Sequence, residues 1–109
     1  MPTLAVIHLI FLREHNRIAS ELQKLNPDWN DEKLYQESKK IVNGEFQHIV
    51  YNEWLPIVLG DRFMVRYGLY PIDKDYSNQY INDFDPRATN AFVTAAFRFG
   101  HSQIPEEIR

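Results

Sequence analysis

Apolar side chains recur every three or four residues between residues 3 and 25, which is the spacing of an amphipathic helix. The positions on this face, one histidine among them, are Leu4, Ile7, His8, Phe11, Leu12, Ile18, Leu22 and Leu25. Asn26 precedes Pro27, and a residue before proline is steered away from helical backbone angles. The pattern therefore predicts a helix over residues 3–25 that ends at this pair.

A second apolar stripe predicts a helix from about Asp31 to Leu59. Its members are Leu34, Ile41, Val42, Phe46, Ile49, Val50 and Leu55. Asn30 is placed to cap the first turn, and the two acidic residues that follow it favour the positive end of the helix dipole. Pro56 lacks an amide hydrogen and is expected to kink this helix, and Gly60 is expected to end it.

The last third of the chain alternates between helical and irregular patterns. Residues 61–67 predict one short helical stretch, and residues 70–83 are polar, tyrosine-rich and without periodicity, which predicts a loop. Asp85 followed by Pro86 is a helix start signal, and the helix is expected to run to about His101. No strand pattern or internal repeat occurs in the sequence, so the predicted fold class is all-α.

Composition narrows the functional classes. The chain has 109 residues with 12 basic and 15 acidic side chains, a net charge of −3, so no positive field favours binding to nucleic acid. It contains no cysteine, which excludes disulfides, thiolate zinc sites and a cysteine nucleophile. The sequence has no run of eighteen apolar residues and no signal-peptide pattern after Met1. The length corresponds to one domain, or to a piece of one.

Four histidines are candidates for chemistry. No two of them have the three- or four-residue spacing of a helical metal site, so a zinc site has no support. His8 and His15 lie two helical turns apart on one face, and we interpret both as packing or interface residues. His48 lies in a mixed segment and is interpreted in the same way.

His101 differs because Arg98 lies three residues before it, on the same face of a segment rich in alanine and phenylalanine. A neutral imidazole beside a fixed cation suits a large, flat, apolar ligand with an anionic edge. A haem is such a ligand, with the imidazole on iron and the guanidinium on a propionate. Arginine and histidine near a helix C-terminus also serve as cations that cap carbonyl groups, and the spacing alone leaves both interpretations open.

Strings along most of the chain resemble the animal haem peroxidases, the superfamily of myeloperoxidase, thyroid peroxidase, peroxidasin and peroxinectin. The strings are LREHNRIA at 12–19, LNPDW at 25–29, EKLYQE at 32–37, IV at 41–42, QHI at 47–49, YNEWLP at 51–56, LG at 59–60, DPR at 85–87 and FRFGHS at 97–102. The resemblance implies a mostly helical fold that holds a b-type haem. It implies that His101 is the proximal iron ligand and that Arg98 pairs with a propionate. It also implies structural roles for His15 and Asn16.

The departures from the family pattern are equally informative. The family domain is several times longer, and its distal histidine, calcium-binding aspartate and catalytic arginine have no counterpart in this sequence. The glutamate that forms an ester to haem and the asparagine that accepts the proximal imidazole proton are also missing. Met1 falls where one mammalian subgroup has a methionine bonded to haem, and we interpret it as an initiator residue without that role.

We therefore expect residues 1–109 to be a partial haem peroxidase domain, the proximal side of a peroxidase that is inactive on its own. Its expected partners are haem, the remainder of the domain, hydrogen peroxide and a small electron donor. An extracellular location is implied by the resemblance alone. A haem-binding module without turnover and a helical protein-interaction module remain as alternatives.

Overall fold

The structure, a computed structural model, describes residues 2–105 and begins with two long helices. Helix α1 spans Pro2–Leu25, and its end before Pro27 confirms the predicted boundary. Helix α2 spans Asp31–Ile49. The Asn30 side chain accepts a hydrogen bond of 3.0 Å from the amide of Lys33, so the predicted cap is confirmed. Met1 lies outside the described residues.

The helical backbone continues beyond α2 but changes its winding before Pro56. Residues Val50–Trp54 form a π-helical turn, and the amide of Leu55 bonds to the carbonyl of Val50, five residues back. Proline cannot donate to the carbonyl four residues earlier and its ring crowds that group, so a wider turn accommodates it. Helix α3, Leu55–Leu59, then completes the segment.

Helix α3 ends at Gly60, as predicted. This glycine has a φ of +75° and a ψ of 154°, a conformation that residues with a side chain rarely adopt. The short helix α4, Asp61–Arg66, follows at once and confirms the prediction for residues 61–67. Beyond it, residues 70–83 contain only bends and isolated turns, in agreement with the predicted loop.

Helices α1 and α2 pack against each other as a hairpin. Phe11 and Phe46 meet edge to face, with ring centroids 5.4 Å apart and planes at 74°. The buried side chains of the described residues come from α1, α2 and α4; they are Ile18, Leu34, Ser38 and Met64. The Ser38 hydroxyl donates to the Leu34 carbonyl at 2.7 Å, so this buried polar group is satisfied.

The predicted helix from Asp85 to His101 is wrong in both its start and its winding. Helix α5 covers only Asn90–Thr94 and is capped by Thr89, whose hydroxyl accepts from the amide of Phe92 at 3.3 Å. Asp85 makes local bonds to Arg87, but no helix begins there. Its carboxylate accepts from the amide of Arg87 at 3.0 Å and from the guanidinium of Arg87 at 2.6–3.0 Å.

After α5 the backbone breaks at Ala95, with φ −129° and ψ −66°, and resumes as a 3-10 helix over Ala96–Gln103. All regular elements of residues 2–105 are helical, which confirms the all-α fold class. The chain divides into two compact units, Met1–Asp75 and Tyr76–Arg109. The first contains α1 to α4, and the second contains α5 and the 3-10 helix.

Candidate functional site

Arg98 and His101 both lie in the 3-10 helix of the second unit. A 3-10 helix has three residues per turn, so side chains three positions apart are eclipsed. The two side chains therefore leave the same face of this helix, although the α-helix expected there is absent. The predicted juxtaposition depends only on the spacing of three residues, because an α-helix and a 3-10 helix both place side chains three residues apart on the same face.

Both side chains are exposed, and neither has a strong polar partner in the described part of the chain. Within residues 2–105 the His101 imidazole forms no hydrogen bond. The Arg98 guanidinium carbon lies 5.4 Å from the centroid of the Phe97 ring, and its group forms no ion pair to the carboxylates of those residues. Neither side chain bonds a backbone carbonyl there, so the carbonyl-capping alternative is not realised in this segment.

Phenylalanine side chains lie close to Arg98 and His101 in the sequence and are partly exposed to solvent. Phe92 and Phe97 pack with ring centroids 6.3 Å apart, and they are 52% and 49% exposed. Phe99 is 44% exposed. An imidazole without a hydrogen bond, a guanidinium without an ion pair and partly exposed phenylalanines are chemically compatible with a haem, whose iron binds imidazole nitrogen and whose propionates bind arginine.

The other three histidines are engaged close to their own positions in the first unit. The Nδ1 atom of His8 lies 2.8 Å from the carbonyl of Leu4, one turn earlier in α1. His15 bridges the hairpin: its Nε2 atom lies 3.2 Å from the Tyr35 carbonyl, and its ring packs on the Tyr35 ring at 5.1 Å. The contacts of His15 agree with its interpretation as a packing residue, whereas the contact of His8 stays within its own helix.

His48 has a polar partner on the following turn. The side-chain amide of Asn52 donates to its Nδ1 atom at 3.1 Å and to its backbone carbonyl at 3.0 Å. Within residues 2–105, no three histidine or acidic side chains come together as a group that could hold a metal ion.

A concave surface between α1 and α2 is the feature that sequence reasoning missed. Its volume is about 1000 Å³, and its lining consists of Ile10, Phe11, Arg13, Glu14, Arg17, Gly44, Glu45, His48 and Ile49. At its rim Arg17 pairs with Glu14, and this hydrogen bond holds the pKa of the Glu14 carboxyl below its ordinary value. The Phe11–Phe46 contact that borders it depends on the hairpin packing, which no local pattern reveals.

The chain was also compared with known proteins. The sequence profile described as animal haem peroxidase matches residues 1–109. The chain is 45% identical over 102 residues to a chorion peroxidase of Drosophila melanogaster, 47% over 104 residues to human myeloperoxidase, and 46% over 105 residues to human lactoperoxidase. These matches cover 94–96% of this chain but only 13–14% of each relative.

No helix of the described residues has both the length and the apolar character that crossing a membrane requires.

Proposed function

The chain belongs to the animal haem peroxidase family, and from that premise we propose that it forms the proximal side of a haem-dependent peroxidase. Family membership confirms the resemblance seen in the sequence strings. In the proposal His101 would bind the haem iron and Arg98 would pair with a haem propionate. Residues 1–109 are then a partial domain whose main partner is the remainder of a peroxidase domain.

The observation that carries the proposal is the eclipsed pair in the 3-10 helix. Arg98 and His101 are three residues apart in a helix with three residues per turn, and the imidazole makes no hydrogen bond within residues 2–105. An unengaged imidazole nitrogen is what an iron ligand needs, since a nitrogen held by a donor has no lone pair to offer. The exposure of His101 agrees with a side chain that contacts the rest of the domain, because the chain spans only about one seventh of the length of its relatives.

When bound, a haem supplies the redox chemistry by which hydrogen peroxide is reduced and a halide or organic donor is oxidised. This chain's residues have simpler tasks. His101 would hold the iron through an imidazole nitrogen, Arg98 would neutralise an anionic edge of the group, and the phenylalanines beside them would cover part of its apolar surface. The second ring nitrogen of His101 has no acceptor within residues 2–105, so its orientation depends on a group from elsewhere.

On its own the chain is proposed to be a poor peroxidase. Nothing in the sequence corresponds to the family's distal histidine or catalytic arginine, and positioned acid–base catalysis contributes about two to four orders of magnitude in rate. We expect peroxide turnover by the haem-loaded chain to stay near that of free haem. Turnover far above free haem would contradict this part of the proposal.

Three further properties follow from family membership as proposals. The assembled protein uses hydrogen peroxide and a small electron donor, has an extracellular location and binds calcium through residues outside this chain. To test the calcium proposal, calcium binding is measured for a protein that also contains the rest of the domain. Residues 1–109 alone are expected not to bind calcium.

A protein-interaction module is the second candidate, and the surface of α1 favours it. The first half of this helix exposes apolar side chains on several faces: Leu4, Val6, Ile7, Leu9, Ile10 and Leu12 are each 44–58% exposed. Contiguous apolar surface of this kind marks a contact with another protein surface. This candidate differs from the first in one measurable respect, since it needs no haem.

Haem titration of the purified chain separates the two candidates. We expect a Soret band of histidine-ligated haem, which is lost or shifted in His101→Ala and retained in the control His8→Ala. His8 is a matched control because it is also an exposed histidine, but its Nδ1 atom already contacts the Leu4 carbonyl. Equal spectra for both variants would contradict the His101 assignment, and a folded chain without any haem binding would favour the interaction module.

A further inference from the structure

Two basic residues lie between Tyr67 and Thr89, the part of the described chain that joins α4 to α5. They are Lys74 and Arg87, and both are exposed. The remaining basic residues within 2–105 lie in helices; they are Arg13, Arg17, Lys24, Lys33, Lys39, Lys40, Arg62, Arg66 and Arg98. A protease that cuts after basic residues therefore meets irregular backbone at two places in the described chain.

The backbone around Lys74 is open. Within the described chain, residues 70–76 neither donate nor accept a backbone hydrogen bond. Every side chain from residue 70 to residue 76 is exposed, and the Lys74 ammonium group makes no ion pair there. Proteases bind their substrates as extended segments, and exposed loops of this kind are where cleavage concentrates. This segment can extend without losing backbone hydrogen bonds, and its one side-chain bond to the helical region joins the Tyr70 hydroxyl to Asp61, four residues before Lys74.

The residue after Lys74 adds local strain. Asp75 has a φ of +66°, in the left-handed region, and it is the one non-glycine residue in the described chain with a positive φ. This conformation is unfavourable for a residue with a side chain, although aspartate tolerates it better than most. Extension of the segment in a protease cleft would release this strain. The bond between residues 74 and 75 also lies one residue before the division into the two units.

Arg87 is exposed but engaged. Its guanidinium is held by the Asp85 carboxylate at 2.6–3.0 Å, and its amide donates to the same carboxylate at 3.0 Å. To enter the specificity pocket of a protease, Arg87 would first have to leave Asp85. The same irregular region thus holds one accessible basic side chain and one that is masked.

We propose that the Lys74–Asp75 peptide bond is a processing site for a serine protease whose specificity pocket carries a carboxylate. Hydrolysis breaks the bond between the Lys74 carbonyl carbon and the Asp75 nitrogen. Water supplies the new C–O bond, which leaves a carboxylate on Lys74 and an ammonium group on Asp75. The flanking carboxylates of Asp73 and Asp75 favour a protease whose neighbouring subsites are neutral or basic. The product is a two-chain form in which the segment that carries Arg98 and His101 is no longer covalently joined to the helical hairpin.

Limited digestion of the full chain with trypsin tests the proposal, with fragments followed over time by intact mass. The first pair of fragments is expected to be 1–74 and 75–109. Lys74→Gln should slow the loss of intact chain at least tenfold, whereas Arg87→Gln should leave the rate of the first cut unchanged. Asp85→Asn should raise the rate of the cut after Arg87 several-fold, because it releases the guanidinium.

Circular dichroism of each variant confirms that the helices are retained before digestion. A first cut within α1, α2 or α4, or an unchanged rate in Lys74→Gln, would overturn the proposal. If the rate of cleavage after Arg87 is the same in Asp85→Asn as in the unmodified chain, the claim that Asp85 masks Arg87 is wrong. None of these outcomes depends on haem, so the processing site can fail while the proposed function stands, and the reverse.

Discussion

The region of residues 2–75 and the region of residues 76–105 are stabilised in different ways. The first contains helices of 24 and 19 residues packed as a hairpin, and it holds all the buried side chains of the described chain. The second has a five-residue α-helix and an eight-residue 3-10 helix, with side chains that are exposed throughout. The candidate ligand His101 lies in the second. The part of the chain that would perform chemistry is thus the part with the least core of its own.

The comparison predicts its largest effect at the core of the first region. Met64 is fully buried, so Met64→Ala should lower the free energy of unfolding by about 2–5 kcal/mol through lost apolar contacts and a cavity. Phe92→Ala, in the second region, should cost no more than about 1 kcal/mol because that side chain is half exposed. Denaturant unfolding followed by circular dichroism measures both.

Equal destabilisation by these two substitutions would contradict the comparison, because it would mean that residues 76–105 contribute to a core as the hairpin does. Val65→Ala serves as the control for helix α4. It neighbours Met64 but is 71% exposed, so it should change the free energy of unfolding by about 0.5 kcal/mol or less.

The helix caps give an intermediate effect. Asn30→Ala removes the hydrogen bond to the Lys33 amide and should cost about 1 kcal/mol of unfolding free energy, since α2 is part of the cooperative hairpin. Thr89→Ala removes the matching bond in α5, where the loss should stay local. It should appear as faster amide exchange at Phe92 without a change in the main unfolding transition.

Asp85→Ala distinguishes the observed cap from the one that the sequence predicts. If Thr89 caps α5, this substitution leaves amide exchange in α5 unchanged. A faster exchange at the start of α5 in Asp85→Ala, with none in Thr89→Ala, would restore Asp85 as the cap.

The smallest predicted effect is electrostatic. The hydrogen bonds from Arg87, side chain first and backbone second, hold the pKa of Asp85 below its ordinary value. The stabilisation is therefore present above the ordinary carboxyl pKa and is lost as the pH falls through the lowered one. The pair is exposed, so its effect on stability should be small and weaker in high salt.

Carboxyl NMR titration measures this pKa directly. Arg87→Gln should raise the pKa of Asp85 toward its ordinary value but not fully to it, because the backbone amide of residue 87 still donates. A pKa of Asp85 that does not move in Arg87→Gln would show that the ion pair is absent in solution.

The sequence predicted the hairpin region well because its signals are local and agree with one another. Apolar spacing, the Asn30 side chain and the Gly60 stop each place a boundary where the structure has it. The sequence predicted a kink at Pro56 but not the π-helical turn that precedes it. The missing amide hydrogen of proline indicates that the hydrogen-bond pattern of the helix must change there. It does not determine which carbonyl groups then pair with which amides.

The continuous helix predicted from Asp85 to His101 does not form. The Asp85 carboxylate accepts from the Arg87 amide, which is the bond that a capping residue makes to the second helical position, and it also binds the Arg87 guanidinium. The capping bond is thus present, but no helix follows it before Asn90. A helix of that length without buried partners is marginal in water. The segment therefore divides into α5 and the 3-10 helix, with the break at Ala95.

The candidate site was predictable only in part. The spacing of Arg98 and His101 places them on one face in either winding, so that prediction did not depend on the helix type. The role of His101 as a ligand stays a prediction, because its partner surface would come from outside this chain. The groove between α1 and α2 was not predictable, since it arises from the pairing of two distant segments.

Replacement of the proposed ligand by an external one tests the central claim most directly. In His101→Gly, haem bound to the chain should lose the absorption and electron paramagnetic resonance signals of histidine ligation. Added imidazole should restore both, because it fills the position that the side chain left. His8→Gly should show neither loss nor rescue. Histidine-ligated signals that persist in His101→Gly without imidazole would contradict the claim that His101 binds the iron.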